Sequence, residues 1–184
     1  MLRRASLGVF TALLVAVPAA QGQTAQRWSV QLSALGVELT GIQNEDLRFG
    51  GGMELQGRWN PSAFSLGLGF QGTRHRVEDT LLARSVDVTY SGAFIEPRYI
   101  VGSIGDVVGI YVAGRLMALT AEYTIGSVTR SVDGGAVSGG GGFLVRLGSR
   151  LNLELGATVG KERYEQQEAE GTTVVTRLGL ALGL

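Results

Sequence analysis

His75 is the single histidine of the chain, set between Arg74 and Arg76, with Glu78, Asp79 and Ser85 close by in sequence. A histidine base, an orienting carboxylate and a hydroxyl are the parts of a hydrolase or acyltransferase. No recognisable triad spacing appears, so the plainer reading of His75 is a solvated loop residue whose arginines draw phosphate groups. One histidine and no cysteine give no metal-ligating pattern, no thiolate nucleophile and no disulfide. The glycine runs at 50–52 and 139–142 open onto no helix, which a phosphate-cradling loop requires. No catalytic, cofactor-binding or metal residue is therefore expected.

A second set of residues points to a different chemistry. Glu54, Arg58, Glu96, Arg98, Arg115, Arg146, Glu154 and Arg177 all fall on the polar side of segments that alternate polar and apolar residues. The guanidinium fork matches a carboxylate in pairs, so this set reads as a buried ion network, and Lys161 is the only lysine in the chain.

The elements that carry these residues are strands, because period two runs from Trp28 to the end. Phe49, Gly51, Met53, Leu55, Gly57 and Trp59 share one face, and Gly50, Gly52, Glu54, Gln56 and Arg58 share the other. Asn60-Pro61-Ser62 makes a turn, and Phe64, Leu66, Leu68 and Phe70 continue the pattern. Further segments are expected near 27–39, 85–101, 107–119, 137–147, 151–162 and 174–184, eight in all. Segments of about ten residues are long enough to cross a bilayer when tilted. Short connections (60–63, 102–106, 148–150) alternate with longer polar ones (40–48, 73–84, 120–135, 163–171). The apolar phase shifts in two places, which predicts a β-bulge near Gly92-Ala93-Phe94 and a similar slip near Ala34-Leu35.

Three features place the polar face inside a barrel. That face is rich in glycine (Gly50, Gly52, Gly67, Gly69, Gly140, Gly142, Gly156, Gly160 and Gly179), which a narrow eight-stranded interior needs. It carries the charges of both signs. The apolar face ends in aromatics: Trp28, Trp59, Phe64 and Tyr99 at the short-turn rim, with Phe49, Phe70 and Tyr90 nearer the other, as membrane interfaces favour.

Residues 1–22 read as a signal peptide: Arg3 and Arg4 precede a short apolar run from Leu7 to Val17, and Ala20-Gln21-Gly22 fits a cleavage site before Gln23. The domain is then 23–184. Equal numbers of acidic and basic residues, 16 of each, give no electrostatic case for nucleic acid.

The signal sequence, the eight alternating segments, the inward Arg/Glu set, the run Ile95-Glu96-Pro97-Arg98-Tyr99 and the last segment from Val174 to Leu184 resemble the small OmpA/OmpX-like outer-membrane β-barrels. The resemblance covers essentially the whole mature chain. It implies an all-β, eight-stranded antiparallel up-and-down transmembrane barrel in the bacterial outer membrane, with short turns on the periplasmic side. It also implies lipid and lipopolysaccharide as surroundings, and the barrel-assembly machinery as a partner during insertion. Family members usually end in an aromatic residue; this chain ends in Leu184. The expectation is a monomeric, non-enzymatic barrel with an envelope-integrity or adhesion-like role, any ligand being met by the outer loops. The alternatives are a lipid A-modifying hydrolase or acyltransferase using His75, and a soluble secreted barrel that binds a ligand.

Overall fold

The computed structural model describes residues 26–40, 49–79, 84–125, 128–164 and 167–184; the signal peptide expected over residues 1–22 lies outside the described residues. Eight strands follow one another: β1 (Trp28–Thr40), β2 (Phe49–Trp59), β3 (Phe64–Asp79), β4 (Arg84–Ile104), β5 (Val108–Ile125), β6 (Val128–Arg146), β7 (Leu151–Tyr164) and β8 (Gln167–Gly183). Each pairs antiparallel with its sequence neighbour, and β1 pairs with β8, so the sheet closes on itself and no edge strand is left. The C-terminus is tied into this closure, with the Leu184 amide donating to the Trp28 carbonyl at 2.9 Å. Gly105 takes a φ of 58° in the turn between β4 and β5, a left-handed conformation that glycine adopts without a Cβ clash.

Alternation assigns every side chain to the wall or the lumen. On β2 the even residues Glu54, Gln56 and Arg58 are buried, whereas Phe49, Met53 and Leu55 are exposed on the outer surface. The same division runs through β7 and β8, where Glu154 and Arg177 point in while Leu155, Leu178, Leu180 and Leu182 point out. This barrel is inverted relative to a soluble protein: its greasy residues form the outside and its charges the inside.

Two expectations are corrected. The predicted bulge near Gly92-Ala93-Phe94 is absent, because β3 and β4 pair without a break from Phe64↔Tyr99 to Asp79↔Arg84. Even-numbered residues of β4 face inward from Val88 to Ile100, so Val88, Tyr90 and Phe94 are buried in the lumen and Tyr90 is no part of an outer aromatic belt. The only irregularity between β4 and β5 lies at Ile100/Gly102. β1 likewise holds one phase, its inward side changing from Ser29, Gln31 and Ser33 to Leu35, Val37 and Leu39. The apparent slips are changes in what fills the lumen: polar near the short turns, apolar towards the other end.

The second correction concerns the long polar connections. Most of 73–84, 120–135 and 163–171 is strand: β4 is 21 residues long and β6 is 19. At about 3.3 Å per residue and a tilt of about 40°, 19 to 21 residues rise to roughly twice the ~25 Å apolar band of such barrels. The hairpins therefore continue as paired strands beyond that band.

Candidate functional site

The lumen holds a continuous ion cluster in the half nearer the short turns. Glu96 on β4 is its centre, accepting from Arg58 Nη2 at 2.5 Å, Arg98 Nη2 at 3.1 Å and Arg177 Nη2 at 3.1 Å. It also accepts from Arg115 through Nε at 3.0 Å and through a closer Nη2 contact. Glu154 on β7 accepts from Arg98 Nη2 at 2.8 Å, Arg177 Nη1 at 3.0 Å and the Tyr111 hydroxyl at 2.8 Å. Glu54 on β2 pairs with Arg115 at 2.7 Å and Arg177 at 3.3 Å. Four arginines against three glutamates leave a net charge of plus one. Glu54, Glu96 and Glu154 have almost no solvent exposure, so each carboxylate depends on its partners for the stabilisation water would otherwise give.

Uncharged groups complete the arrangement. Arg58 donates to Ser65 and Gln56, both at 3.0 Å, and Arg115 donates to Gln71 at 2.8 Å. The Arg98 guanidinium stacks 4.0 Å from the Tyr111 ring centre, and that of Arg115 3.8 Å from Phe94. Space for these large side chains comes from glycine on other strands of the barrel. A Cβ on Gly67 would lie 2.3 Å from the Gln56 amide, and one on Gly156 would lie 2.3 Å from the Tyr111 hydroxyl.

Of the eight charged residues expected in the lumen, seven are joined in this cluster. Arg146 is not among them. It is half-buried at the last position of β6, opposite Asn152 and beside the short turn, too near the rim to reach the carboxylates. Tyr111 and Phe94 were missed, although each is in phase with a charged residue on its own strand, Tyr111 with Arg115 and Phe94 with Glu96; Gln56 stands on the polar face expected of β2, and Gln71 is the register partner of Glu54 across β2 and β3.

Beyond the ions the lumen turns apolar. Leu35, Val37, Leu39, Val88, Tyr90, Leu119 and Ala121 form one buried cluster. His75 lies beside it, not in a solvated loop: it is fully buried and meets Tyr90 edge to face at 5.2 Å. Its ring crosses in front of Gly50, where a Cβ would come within 2.4 Å of it. Glu162 accepts from the hydroxyls of Tyr164 and Thr173, each at 2.7 Å. Glu78 and Ser85 are register partners across β3 and β4, but the side chains of Glu78, Asp79 and Ser85 lie outside the described residues. Cavities in the lumen are about 20 Å³ near the short turns and about 30 Å³ beside His75, room for about one water molecule each. Among the described residues no group of three or more metal-ligating side chains occurs.

No protein-family model and no curated protein matches the chain. Solved structures do. Neisserial surface protein A is similar at a TM-score of 0.70 and 11% identity, over 85% of this chain and 97% of that one. Ail, the attachment invasion locus protein of Yersinia pestis, is similar at a TM-score of 0.57 and 14% identity, over 85% and 97%. The chain has the fold of the small OmpA/OmpX-like outer-membrane barrels. The outer membrane protein OprG from Pseudomonas aeruginosa shares it at a TM-score of 0.55 and 12% identity, over 88% and 97%. At such identities only the architecture transfers.

Within this outer-membrane-type barrel the rim aromatics sit together on the outer surface. Trp28 faces Trp59 across β1 and β2, and Phe64 faces Tyr99 across β3 and β4. Trp28 is 55% exposed, and Phe49 and Phe70 on the opposite part of the wall are 73% and 70% exposed. Aromatics with this degree of exposure have no protein core to occupy.

Proposed function

We propose that the protein is exported under its first 22 residues and resides in a bacterial outer membrane as a non-enzymatic barrel acting at the envelope surface. The observation that carries this is the inverted barrel: Leu, Val, Phe and Trp side chains cover its outside while four arginines and three glutamates are sealed within. Water around that exterior would cost roughly 25 cal/mol per Å² of apolar surface, which acyl chains relieve. A soluble ligand carrier is disfavoured by the same observation, since it would not leave Trp28, Phe49, Leu55, Phe70 and Leu180 exposed on its outer wall. The ion cluster acts as a structural plug, because no side chain in it meets solvent where a solute or substrate could bind.

Action at the surface is supported by the strands that continue past the apolar band and by the likeness to Ail, a protein named for attachment and invasion and known in complex with a heparin analogue. Catalysis by His75 is disfavoured because the ring has no exposure. Membrane fractionation combined with gel mobility before and after heating in detergent tests the proposal. A folded outer-membrane barrel migrates differently until boiled, and recovery in the soluble periplasm would overturn the assignment. Cells lacking the protein should show weakened attachment or greater detergent sensitivity, with an unchanged lipid A profile in a His75→Ala strain.

A further inference from the structure

Near the short turns the lumen encloses a cavity of about 20 Å³. Strand register assembles its wall. Ser29 on β1 faces Arg58 on β2, Ser65 on β3 faces Arg98 on β4, and Gln31 on β1 and Asn152 on β7 both face Ala181 on β8. All of these residues line the cavity, and no carboxylate does.

That wall has donors to spare. Arg58 and Arg98 are 4% and 3% exposed, and the buried Nε–H of each meets no acceptor among the described residues. Ser29 Oγ accepts from Asn60 Nδ2 at 3.1 Å, and Ser65 Oγ accepts from Arg58 Nη1 at 3.0 Å. A hydroxyl that accepts in this way still has its own proton to donate. Buried donors are costly unless something accepts from them.

Charge decides what the acceptor is. Four arginines and three glutamates leave the adjoining cluster at plus one. Arg146, opposite Asn152, adds a cation at the rim, whereas the nearby carboxylates of Asp106 and the Leu184 terminus belong to exposed residues. A water would use the amide oxygens of Gln31, Asn60 and Asn152, but it brings no charge. An uncompensated buried charge is expensive, and one monovalent anion makes the cluster neutral. Size sets the rest, because room for about one water molecule admits a halide and excludes phosphate, sulfate or a carboxylate.

We propose that the ionic half of the lumen holds one halide ion, chloride in a living cell, in the cavity between Arg58 and Arg98, with the Ser29 and Ser65 hydroxyls as further donors. The ion is a resident part of the plug, taken up as the barrel closes, and not a solute in transit. The inference goes beyond the envelope role and rests on the lumen alone.

The test refolds the full mature barrel from urea into detergent micelles in sodium gluconate, replaced stepwise by sodium chloride or bromide at constant ionic strength. The temperature at which the heat-dependent mobility shift is lost is read at each step. The expected midpoint rises with halide and saturates, and at a halide concentration about 100 times the dissociation constant the unfolding equilibrium constant falls about 100-fold. Crystals grown in sodium bromide should give one anomalous bromine peak within hydrogen-bonding reach of both Nε atoms. Ser29→Ala/Ser65→Ala removes two donors at constant charge and should raise the halide concentration required by about tenfold. Arg58→Gln cancels the surplus charge and should abolish the halide response. Should either variant fail to fold, the wild-type titration and the bromine map together carry the test. A midpoint indifferent to halide, or one that climbs without saturating and does so equally in the variants, overturns the proposal and leaves the cavity to water. A missing bromine peak overturns it as well, and a peak without any response in solution marks an adventitious ion only. A halide response in a protein recovered from the soluble periplasm would keep this inference and remove the membrane assignment.

Discussion

Glu96 shows how much one residue can govern in a closed lumen. Four guanidinium groups converge on its carboxylate, and the surrounding lumen offers no solvent to take its place. Changing it to Gln leaves those four arginines facing two carboxylates, and removing one partner of a buried ion pair typically costs about 3–5 kcal/mol. Urea unfolding of the barrel in lipid vesicles should register a loss of that size for Glu96→Gln. Arg146→Ala, outside the cluster, should stay within about 0.5 kcal/mol of the parent. His75 offers a second test through its contact with Gly50. Gly50→Ala drives a methyl into a ring whose atoms lie 2.4, 2.5 and 2.6 Å from the new Cβ, and overpacking of this kind costs about 1–3 kcal/mol. If the clash is the cause, the penalty shrinks in a His75→Ala background, and the double-mutant cycle reads a coupling of opposite sign to the single changes. Additive losses would mean that Gly50 matters for another reason.

At the level of the strand, β4 decides how the whole molecule should be read from its sequence. Its unbroken phase predicts that a nitroxide attached at Val88→Cys is immobile and shielded, while one at Thr89→Cys meets oxygen or an aqueous relaxant. A bulge at residues 92–94 would reverse the two, and the absence of native cysteine keeps the labelling clean. The sequence suffices for β2, β3, β7 and β8 because their two faces differ in polarity, with Glu54, Gln56 and Arg58 set against Met53, Leu55 and Gly57. It misleads in β4 and β1 because Val88, Tyr90, Leu35 and Val37 are apolar yet inward, and periodicity cannot tell a lipid-facing valine from one packed in a lumen. Strand ends were lost for a related reason. Past the apolar band both faces are polar, so Thr129, Arg130 and Ser131 look like loop although β5 and β6 pair there from Thr124↔Thr129 onward. The ion cluster was legible residue by residue because charge and phase coincide. The contact of Gly50 with His75 was not, since only strand register brings the two side by side.

Taken as a whole, the molecule is two plugs stacked in one tube: an ionic one near the short turns and an apolar one, including His75 and Tyr90, towards the long end. Each blocks passage in its own way. An ion entering the ionic half meets charges already satisfied at 2.5 to 3.1 Å around Glu96, and one entering the apolar half must shed its water among Leu35, Val37, Val88 and Leu119. The barrel reconstituted in planar bilayers should therefore give no steady ion conductance, and liposomes bearing it should not swell in sugar solutions. Breaking one plug alone should leave the membrane tight. Removing Arg98 and Glu154 together, as Arg98→Ser/Glu154→Ser, deletes an ion pair without changing net charge and opens space only in the ionic half. Opening both halves, by adding Leu35→Ser and Val88→Ser, should produce a measurable leak, provided the heat-dependent mobility shift still reports a folded barrel. A leak from the ionic pair alone would show that the apolar half is no barrier. Conductance in the unaltered protein would mean that the lumen opens in the membrane, and the barrel would then have to be considered a channel.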